Sequence, residues 1–540
     1  MKSGKKHPSD QPAAGNSLAS QMEAGSNPFA PDRATKASLR QRAVHGISWN
    51  FAAGFGNQFV QFVLGVLIAR KLSPDDFGLM GMIAIFVTLM RVLADGGLGS
   101  ALIQKRDADE IDASSVFFLN LAASFGLAGL LCLLALPVAA FYGQPILESL
   151  MYAMAVGPVL TAVGRVHASF LTKKMEFGTL FRVSICASLL SGLVGLAGAW
   201  AGWGVWSLVW MALSNEAIRS AALWYLHDWH PRLVFSVRSI REMAAVGVPL
   251  LGSGIIDAVA QNVNSLVIGK LYTAADVGLY TRARGLQRLP IANLTAAVGS
   301  VSFPAFAEVQ DDLPRIRRGL RQAIRLLAFV VFPLVGFITG SATALITVLL
   351  TEKWLGCVPL LRLMCFSELL FPLTVLNLNV LKARGEASLF FRLSLVKQTL
   401  AFAILAVTCR ISIPLIVIGQ VVAAFLAYLL NSYYSGKVLA YHASEQLADV
   451  APFAWMAALA GGAAYAWEWS GVGPAWLLLL FQGLTAVAVY GAGCWWFGVP
   501  ELQQVVELVR HRLARRRGEA SMAERLAAAS MGDVVADGPK

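Results

Sequence analysis

The sequence predicts an all-α polytopic membrane protein with about fourteen transmembrane helices and both termini in the cytoplasm. Hydrophobic residues make up 57% of the 540 positions and charged residues only 14%, whereas a soluble protein has about 25% charged residues. Long, nearly uncharged runs recur from residue 44 to residue 497, and each can cross a bilayer as a helix. They lack the alternation of apolar and polar residues that a membrane barrel needs, so strands are not expected.

The fourteen predicted helices follow the apolar runs in order and are numbered 1 to 14. Each covers about 17–29 residues, enough to span the hydrocarbon core. Their limits are 44–69, 77–103, 115–141, 146–167, 180–201, 203–226, 243–269, 277–303, 322–350, 358–381, 389–409, 412–437, 453–470 and 474–497.

The two ends of the chain are polar. Residues 1–43 are rich in Ser, Lys, Pro and Ala, which predicts a disordered cytoplasmic tail rather than a cleaved signal peptide. Within 501–517, apolar residues recur at helical spacing beside a basic face, which predicts an amphipathic helix on the inner membrane surface. Residues 518–540 are expected to form a second disordered tail.

The distribution of positive charge predicts the sidedness of the helices. Every second connection is basic, and the connections between them are short and poor in positive charge. Lysine and arginine accumulate on the cytoplasmic side, so both termini are expected there. The same bias accounts for the net charge of +12, and no nucleic-acid partner is expected. The basic connections contain Lys105, Arg106, Lys173, Lys174, Arg232, Arg238, Arg241, Arg315, Arg317, Arg318, Arg321, Lys382 and Arg384.

Two stretches of the first half of the chain recur in the second half. "IARKLSPDDFGL" (68–79) is similar to "IGKLYTAADVGL" (268–279), and "LTKKMEFGTLFRVSI" (171–185) is similar to "LKARGEASLFFRLSL" (381–395). The matches predict two parallel six-helix lobes, 44–226 and 243–437, with helices 13 and 14 (453–497) appended. Such lobes are typical of transporters, whose site lies between the repeats near mid-membrane.

Predicted helix 8 opens with "GLYTRARGLQRLP" (278–290), which places Arg282, Arg284 and Arg288 inside a span. An ionisable residue at a helix centre costs about 2.5–3.5 kcal/mol, so such residues are functional candidates. Arg284 and Arg288 share a face, and their fixed, forked donors suit a phosphate group. Arg282 lies on another face. The alternative for all three is snorkelling to lipid headgroups or capture by a neighbouring acid.

Amide side chains lie in two other predicted helices. They are expected either to hydrogen-bond a sugar ligand or to hold neighbouring helices together. The candidates are Asn57 and Gln61 in helix 1, and Gln261, Asn262 and Asn264 in helix 7.

Acidic residues inside spans are candidates for binding a coupling ion. Asp257 in helix 7 and Glu368 in helix 10 are expected either to bind a proton or sodium ion or to neutralise an arginine. In helix 2, Arg91 and Asp95 are four residues apart, which predicts a salt bridge beside a substrate portal.

Motifs for cofactors or metals are not found. The six cysteines are scattered without a CxxC spacing and are read as apolar filler. The chain has no GxxxxGK[ST] motif for nucleotide phosphates, and the closest pair of histidines, His227 and His230, does not make a metal site. "DADE" (107–110) contains a DxD pattern, but it is expected to be a solvated loop. Neither a cofactor nor a metal is expected.

Several longer motifs together resemble those of a known family. They are "ARKLSPDDFGLMGM" and "LADGGLGSALIQ" in the first lobe, then "DVGLYTRARGLQRLP", "VSFPAFAEVQDD" and "LLTEKWLGCVPLLRL" in the second. With them, residues 40–450 resemble Wzx-type polysaccharide flippases of the colanic-acid-exporter branch, within the multidrug/oligosaccharidyl-lipid/polysaccharide exporter superfamily. Tyr280 and Arg282 fall where this branch has a similar Tyr-x-Arg.

The resemblance implies a transporter rather than an enzyme. Its implied substrate is an undecaprenyl-pyrophosphate-linked oligosaccharide, flipped across the bacterial inner membrane through a cationic cavity by alternating access. The headgroup is expected to enter between helices 2 and 8 while the prenyl tail stays among membrane lipids. Candidate partners are the polymerase and glycosyltransferases of the same pathway.

Two alternatives remain open from the residues. A cation-coupled multidrug antiporter of the same superfamily would favour acids over arginines between its lobes. A membrane glycosyltransferase or polymerase usually has a large extramembrane loop, whereas the internal connections of this chain are short.

Overall fold

The structure, a computed structural model, describes residues 56–471 and 473–503, and the regular elements of those ranges are helices. The N-terminal helices are α1 (Gly56–Ala69), α2 (Pro74–Asp95), α3 (Leu98–Gln104), α4 (Glu110–Tyr142), α5 (Ile146–Met154), α6 (Val156–Lys173), α7 (Phe177–Trp200), α8 (Trp206–Leu226) and α9 (Val237–Leu271). They are followed by α10 (Ala274–Glu308), α11 (Leu313–Gly340), α12 (Ala342–Leu350), α13 (Cys357–Ala383), α14 (Ala387–Thr408), α15 (Ile413–Leu439), α16 (Ala443–Ala466) and α17 (Ala475–Trp496).

The helices agree with the predicted spans, each of which overlaps a helix in the described ranges. Twelve helical stretches of the described residues are long and apolar enough to cross a membrane, which confirms a multi-pass helical membrane protein. The spans predicted at α1 and α8 are not among those twelve. The count of fourteen spans and the cytoplasmic termini therefore stay predictions.

Three predicted spans each contain two helices. The span 77–103 divides into α2 and α3, 146–167 into α5 and α6, and 322–350 into α11 and α12. In the first case the cause is Gly96 and Gly97, whose φ angles of 55° and 70° are left-handed and end a helix.

Some predicted features fall outside the described residues. These are the tails at 1–43 and 518–540, and the predicted amphipathic helix from residue 504 onward. The part of that helix which is described contains Glu501, a buried residue whose Oε1 lies 2.5 Å from Nε of Arg325 on α11.

The sequence repeats adopt the same local structure. Ser73 and Asp76 form a capping box at the start of α2, with the Ser73 hydroxyl donating to Oδ2 of Asp76 at 2.7 Å. Thr273 and Asp276 form the same box at the start of α10, also with a hydroxyl–carboxylate distance of 2.7 Å. A hydroxyl and a carboxylate at this spacing satisfy the free N–H groups of a helix start.

The turns that precede α7 and α14 are also equivalent. Met175 and Gly385 both have left-handed backbones, with φ of 59° and 74°. The residues that follow them have nearly identical angles, φ −81° and ψ 54° at Glu176 and φ −81° and ψ 55° at Glu386. The two halves of the chain therefore share backbone geometry as well as residues.

The first pair of repeats crosses in the structure at two glycines. A Cβ atom added to Gly78 would lie 1.7 Å from the carbonyl oxygen of Ala274, and one added to Gly278 would lie 1.9 Å from that of Pro74. These contacts are related by the same 200-residue offset as the repeat. Only glycine lets the backbones of α2 and α10 approach this closely.

Contacts divide the described residues into two compact units, 56–68 with 83–263, and 69–82 with 264–503. The helices α2 and α9 each contribute to both units. This division differs from the predicted lobe boundaries, which describe the sequence repeat and stay a prediction.

Within the first unit, the connector 227–236 and the start of α9 are held against its other helices. The backbone N–H groups of Arg232 and Ser236 donate to the hydroxyls of Ser114 and Ser115 on α4, at 3.1 and 2.9 Å. A Cβ atom on Gly97 would lie 2.2 Å from the carbonyl oxygen of Gly247 on α9. These contacts explain why α9 begins in the first unit.

Within the second unit, α16 packs backbone to backbone against α11. A Cβ atom on Gly340 would lie 2.2 Å from the carbonyl oxygen of Gly461, and small residues allow such close packing of membrane helices. Nη2 of Arg321 also lies 2.6 Å from the carboxylate of Asp449. The first of the two predicted C-terminal helices is therefore an integral part of this unit.

Candidate functional site

Positive charge lies at the start of α10, where Arg284 and Arg288 are one turn apart on one face. Arg288 is exposed and Arg284 is half-buried. Gln287 is buried, and its Nε2 donates a 2.5 Å hydrogen bond to Oε1 of Glu368 on α13. The charges of both arginines act on the Glu368 carboxyl group. The structure thus brings together four polar side chains from two packed helices.

The charge of this cluster favours an anionic ligand. It has two guanidinium groups and one carboxyl group, and guanidinium does not lose its proton in proteins. The Glu368 carboxyl is held by Gln287, and its other oxygen accepts no hydrogen bond from the described residues. Arg288 forms no ion pair with the part of the chain that the structure describes, so its exposed, forked donors can receive a phosphate.

Arg282 has a different environment from its two neighbours. Its guanidinium carbon lies 3.7 Å from the ring centroid of Phe77 and 6.0 Å from that of Trp354. The two rings meet edge to face at 5.4 Å, and Nε of Arg282 is buried without a hydrogen bond among the described residues. Cation–π contact therefore holds Arg282, an arrangement that neither snorkelling nor capture by an acid describes.

The aromatic partners of Arg282 are themselves fixed. Nε1 of the fully buried Trp354 donates to the carbonyl oxygen of Ala69 at 2.9 Å. Nζ of Lys353 donates to the carbonyl oxygen of Arg70, also at 2.9 Å. The connection between α1 and α2 is thus attached to the turn that precedes α13, and Arg282 packs against this joint.

The amides predicted in helix 1 bind another helix. Oδ1 of Asn57 accepts a 2.7 Å hydrogen bond from the hydroxyl of Ser188 on α7, and Nε2 of Gln61 donates to the same hydroxyl at 3.4 Å. In this structure both residues hold α1 to α7. Their contact with a glycan stays a prediction.

The polar residues predicted in helix 7 are spread along α9. Nδ2 of Asn262 donates to the carbonyl oxygen of Ala258 at 2.8 Å within the same helix. Asn264 hydrogen-bonds the buried Tyr280 of α10, whereas Gln261 is exposed. Asp257 is also exposed, and it forms no ion pair with a residue in the described ranges.

The predicted salt bridge between Arg91 and Asp95 is wrong. Asp95 is the last residue of α2, and its Oδ1 lies 2.6 Å from Nε of Arg165 on α6. Arg91, one turn earlier, lies 3.1 Å from the carboxylate of Glu216 on α8. Charges on neighbouring helices are better placed than the next turn of α2, so each residue of the predicted pair binds another helix.

Arg165 on α6 and Glu216 and Arg219 on α8 are charged residues inside predicted spans that were not among the predicted site residues. Arg219 is acted on by the charges of Glu216, Arg165 and Arg91. Arg91 and Glu216 also line a small cleft in the first unit. Arg165, Glu216 and Arg219 could have been found in the sequence by the criterion that selected the arginines of predicted helix 8, namely an ionisable residue inside an apolar span.

Comparison with known proteins identifies the family of the chain. The model of the family described as "Polysaccharide biosynthesis protein" matches residues 67–359, which is more than half of the sequence and includes the start of α10. The match confirms the resemblance to polysaccharide exporters that the motifs indicate.

Individual proteins agree with this result. The chain is 27% identical to the teichuronic acid biosynthesis protein TuaB of Bacillus subtilis over 66% of its own length and 74% of that protein. It is 24% identical to the lipopolysaccharide biosynthesis protein WzxC of Escherichia coli, over 73% of its length and 78% of that protein.

Among solved structures, the lipid II flippase MurJ in an inward closed conformation has a similar fold. The TM-score is 0.68 at 13% identity, covering 83% of this chain and 98% of MurJ. With the family match, these findings lead to one conclusion: the chain belongs to the polysaccharide biosynthesis protein family, with a MurJ-like fold.

Proposed function

We propose that the protein flips a lipid-linked oligosaccharide with a pyrophosphate headgroup across the bacterial inner membrane. The undecaprenyl-pyrophosphate-linked repeat units of exopolysaccharide, capsule or O-antigen assembly are the substrates that fit. Family membership and the MurJ-like fold support a transporter. The observation that carries the proposal is the pair Arg284 and Arg288 on one face of α10.

The pair suits a pyrophosphate for electrostatic and geometric reasons. Two guanidinium groups one helical turn apart offer forked donors to two phosphate groups. Glu368, held in place by Gln287, acts as the internal counter-ion while the headgroup is absent. One carboxylate offsets only part of the charge of two guanidinium groups, so the empty site keeps a net positive charge, which a bound pyrophosphate neutralises.

A cationic drug is a poorer fit to the same face. The positive charges of Arg284 and Arg288 act on a single carboxylate, so a cation placed there meets net repulsion. This surplus of positive charge favours the flippase over the multidrug antiporter.

The test is export complementation in a bacterium that lacks its own repeat-unit flippase. Arg284 and Arg288 are each changed to Ala and to Lys, with Arg384→Ala as a matched control, because Arg384 is an exposed arginine in the turn after α13. We expect the Ala variants to lose export by about ten-fold or more, since an unmade charge-assisted contact costs about 1.5–3 kcal/mol. The Lys variants should retain part of it.

Membrane levels of every variant are measured by immunoblot. Normal export by all four variants at normal levels would remove the arginines from the proposed site. Normal levels with export lost in the Arg384→Ala control as well would show that the assay reports general damage rather than headgroup binding.

We also propose that the polymerase and glycosyltransferases of the same pathway are functional partners. The lipid-linked unit must be assembled before it is flipped and polymerised afterwards, so these enzymes share the substrate. Genes for them beside the gene for this protein would support the assignment, and their absence would argue against it.

A further inference from the structure

Lys397 is an ionisable residue in the middle of a membrane helix. It lies near the centre of the 22-residue α14, and its side chain is half-buried. A lysine at a helix centre costs about 2.5–3.5 kcal/mol and is expected to have a functional reason. The contacts of Lys397 show which reason fits.

A single neutral group accepts a hydrogen bond from Lys397 in the described structure. Nζ donates to Oδ1 of Asn431 on α15 at 3.2 Å. Asn431 is fully buried, and its Nδ2 donates to the carbonyl oxygen of Thr374 on α13 at 3.4 Å. That bond turns the amide oxygen, an acceptor, toward the lysine.

Within residues 56–471 and 473–503, no carboxylate forms an ion pair with this lysine. The sequences of α14 and α15 contain no Asp or Glu, and the one acid of α13, Glu368, is bound by Gln287. The charge that acts on Lys397 is that of Lys382, which is also positive. Besides Lys397, α14 has one charged group, Arg392. The titratable or charged groups of the two helices packed against α14 are Cys357, Arg362, Cys365, Glu368 and Lys382 on α13, and Tyr428, Tyr433, Tyr434 and Lys437 on α15.

This environment tolerates both charge states of the amine. An ammonium and a neutral amine can both donate to Oδ1 of Asn431, so this hydrogen bond can be made in either charge state. Nδ2 of Asn431 donates to the carbonyl oxygen of Thr374. The atom of Asn431 that faces the lysine is therefore its acceptor, Oδ1, and not a donor of the kind that an anion would need. The protein has arginines, which keep their charge, at the face proposed to hold the anion, and a lysine, which can lose its proton, here.

We infer that Lys397 is the proton-coupling group of the transport cycle. The ammonium releases its proton to water on one side of the membrane, and the neutral amine takes up a proton from the other side. The proton gradient thereby drives the cycle. This inference rests on the proposed flippase function. It makes Lys397 a coupling residue in addition to the two predicted candidates, Asp257 and Glu368.

The experiment uses the full chain reconstituted into vesicles of phosphatidylethanolamine and phosphatidylglycerol that contain undecaprenyl pyrophosphate. A pH gradient is imposed, and entrapped pyranine reports proton flux. An added, membrane-impermeant phosphatase releases phosphate from headgroups that reach the outer leaflet. The variants are Lys397→Arg, which keeps its charge, Lys397→Gln, which has none, and Lys437→Arg, a matched control at an exposed lysine of α15.

We expect wild type and Lys437→Arg to show proton flux together with gradient-dependent headgroup movement. In Lys397→Arg and Lys397→Gln, proton flux and headgroup movement should each fall about ten-fold or more, because neither side chain can gain and lose a proton. Lys397→His should keep transport but shift its pH dependence to lower pH, since imidazole titrates near 6.5 and lysine near 10.4. Misfolding cannot produce such a shift.

The outcomes separate the two proposals. If Lys397→Arg keeps gradient-driven movement, a fixed charge suffices and the coupling role is overturned while the flippase function stands. If Lys397→His has the pH profile of wild type, the coupling role is overturned as well. If wild type moves neither undecaprenyl pyrophosphate nor an oligosaccharide linked to it, the proposed function fails and the inference fails with it.

Discussion

At the start of α10, three arginines within seven residues have two kinds of environment. Arg284 and Arg288 act on a carboxyl group and reach the surface, whereas Arg282 packs on the rings of Phe77 and Trp354. The phenyl and indole faces carry partial negative charge, which compensates a cation without an acid. Arg282 is therefore expected to contribute to stability, and the other two to ligand binding.

We predict that Arg282→Gln lowers the stability of the protein by about 1–2 kcal/mol, the range of a desolvated cation–π contact. The measurement is the melting temperature of the purified protein in detergent. Phe77→Leu should lower it by a similar amount, and the double variant should lower it by less than the sum of the two, because the residues act together.

A comparison of Arg282→Gln with Arg288→Gln separates an effect on stability from an effect on ligand binding. Arg288→Gln, at the exposed position, should leave the melting temperature unchanged and reduce export. A normal melting temperature for Arg282→Gln combined with lost export would contradict the assignment of Arg282 to the aromatic pair.

At the scale of elements, the crossing of α2 and α10 depends on glycine. The clash distances of 1.7 Å at Gly78 and 1.9 Å at Gly278 are to backbone atoms, which cannot move aside as a side chain can. We predict that Gly78→Ala and Gly278→Ala each destabilise the protein by about 1–3 kcal/mol or more. The amount of folded protein extracted from the membrane and its melting temperature check this.

Gly252 provides the control for those substitutions. It lies within α9, and no atom lies within 4 Å of a Cβ added there. Gly252→Ala should leave stability unchanged or raise it slightly, since alanine favours a helix by about 1 kcal/mol. Equal effects of all three substitutions would argue against a close crossing.

The connector after α8 contains a histidine whose protonation opposes the folded structure. Nδ1 of His227 accepts from the backbone N–H of Trp229 at 3.1 Å, and the ring stacks on Phe170 at 5.5 Å. Burial, followed by the charge of Lys174, lowers the pKa of His227 below its usual value. A proton on Nδ1 would remove the acceptor for Trp229.

The pH dependence follows from the direction of that shift. Because the pKa is lower in the folded protein, its contribution to stability is present above about pH 6.5 and is lost as pH falls through the folded pKa. We predict that the melting temperature falls on acidification and falls less steeply in His227→Phe, which keeps an aromatic ring against Phe170. Parallel curves for the two proteins would contradict this role.

At the scale of the whole molecule, helices were predictable and contacts between them were not. A span must present about 20 apolar residues to lipid, so hydropathy located the spans, although three of them divide into two helices. The partner of Arg91 is Glu216, more than a hundred residues away, and spacing within one helix does not identify it. The same holds for Arg282, whose aromatic partners come from α2 and from the turn before α13.

Lys397 was missed for a related reason. Hydropathy treats a lysine at a helix centre as a small reduction of a strong apolar signal, and the neutral partner Asn431 lies on another helix. The boundaries of the two compact units could not be predicted from the sequence either, because they fall inside the helices α2 and α9. That division depends on close backbone contacts such as Gly97 with Gly247, which a repeat pattern does not encode.

Contacts between connections agree with the predicted alternation of sides. Nζ of Lys173 donates to the carbonyl oxygen of Lys105 at 2.7 Å, which joins two connections predicted to be cytoplasmic. Nη2 of Arg362, in the second turn of α13, lies 2.9 Å from the carboxylate of Glu468, just after α16. The contact joins the start of α13 to the end of α16, two helix ends that are both predicted to be external. Arg70 is a positive charge on the predicted external side, and it donates to carbonyl oxygens at the end of α12.

Absolute orientation then follows from the positive-inside bias, and cysteine labelling tests it. In a background without the six native cysteines, Ser470→Cys and Lys174→Cys are both exposed positions in connections of opposite predicted side. We expect a membrane-impermeant maleimide to label Ser470→Cys in intact cells and Lys174→Cys only after permeabilisation. The reverse pattern would place the termini outside and would invert the direction in which the headgroup is carried, whereas labelling of both in intact cells would contradict an intervening odd number of spans.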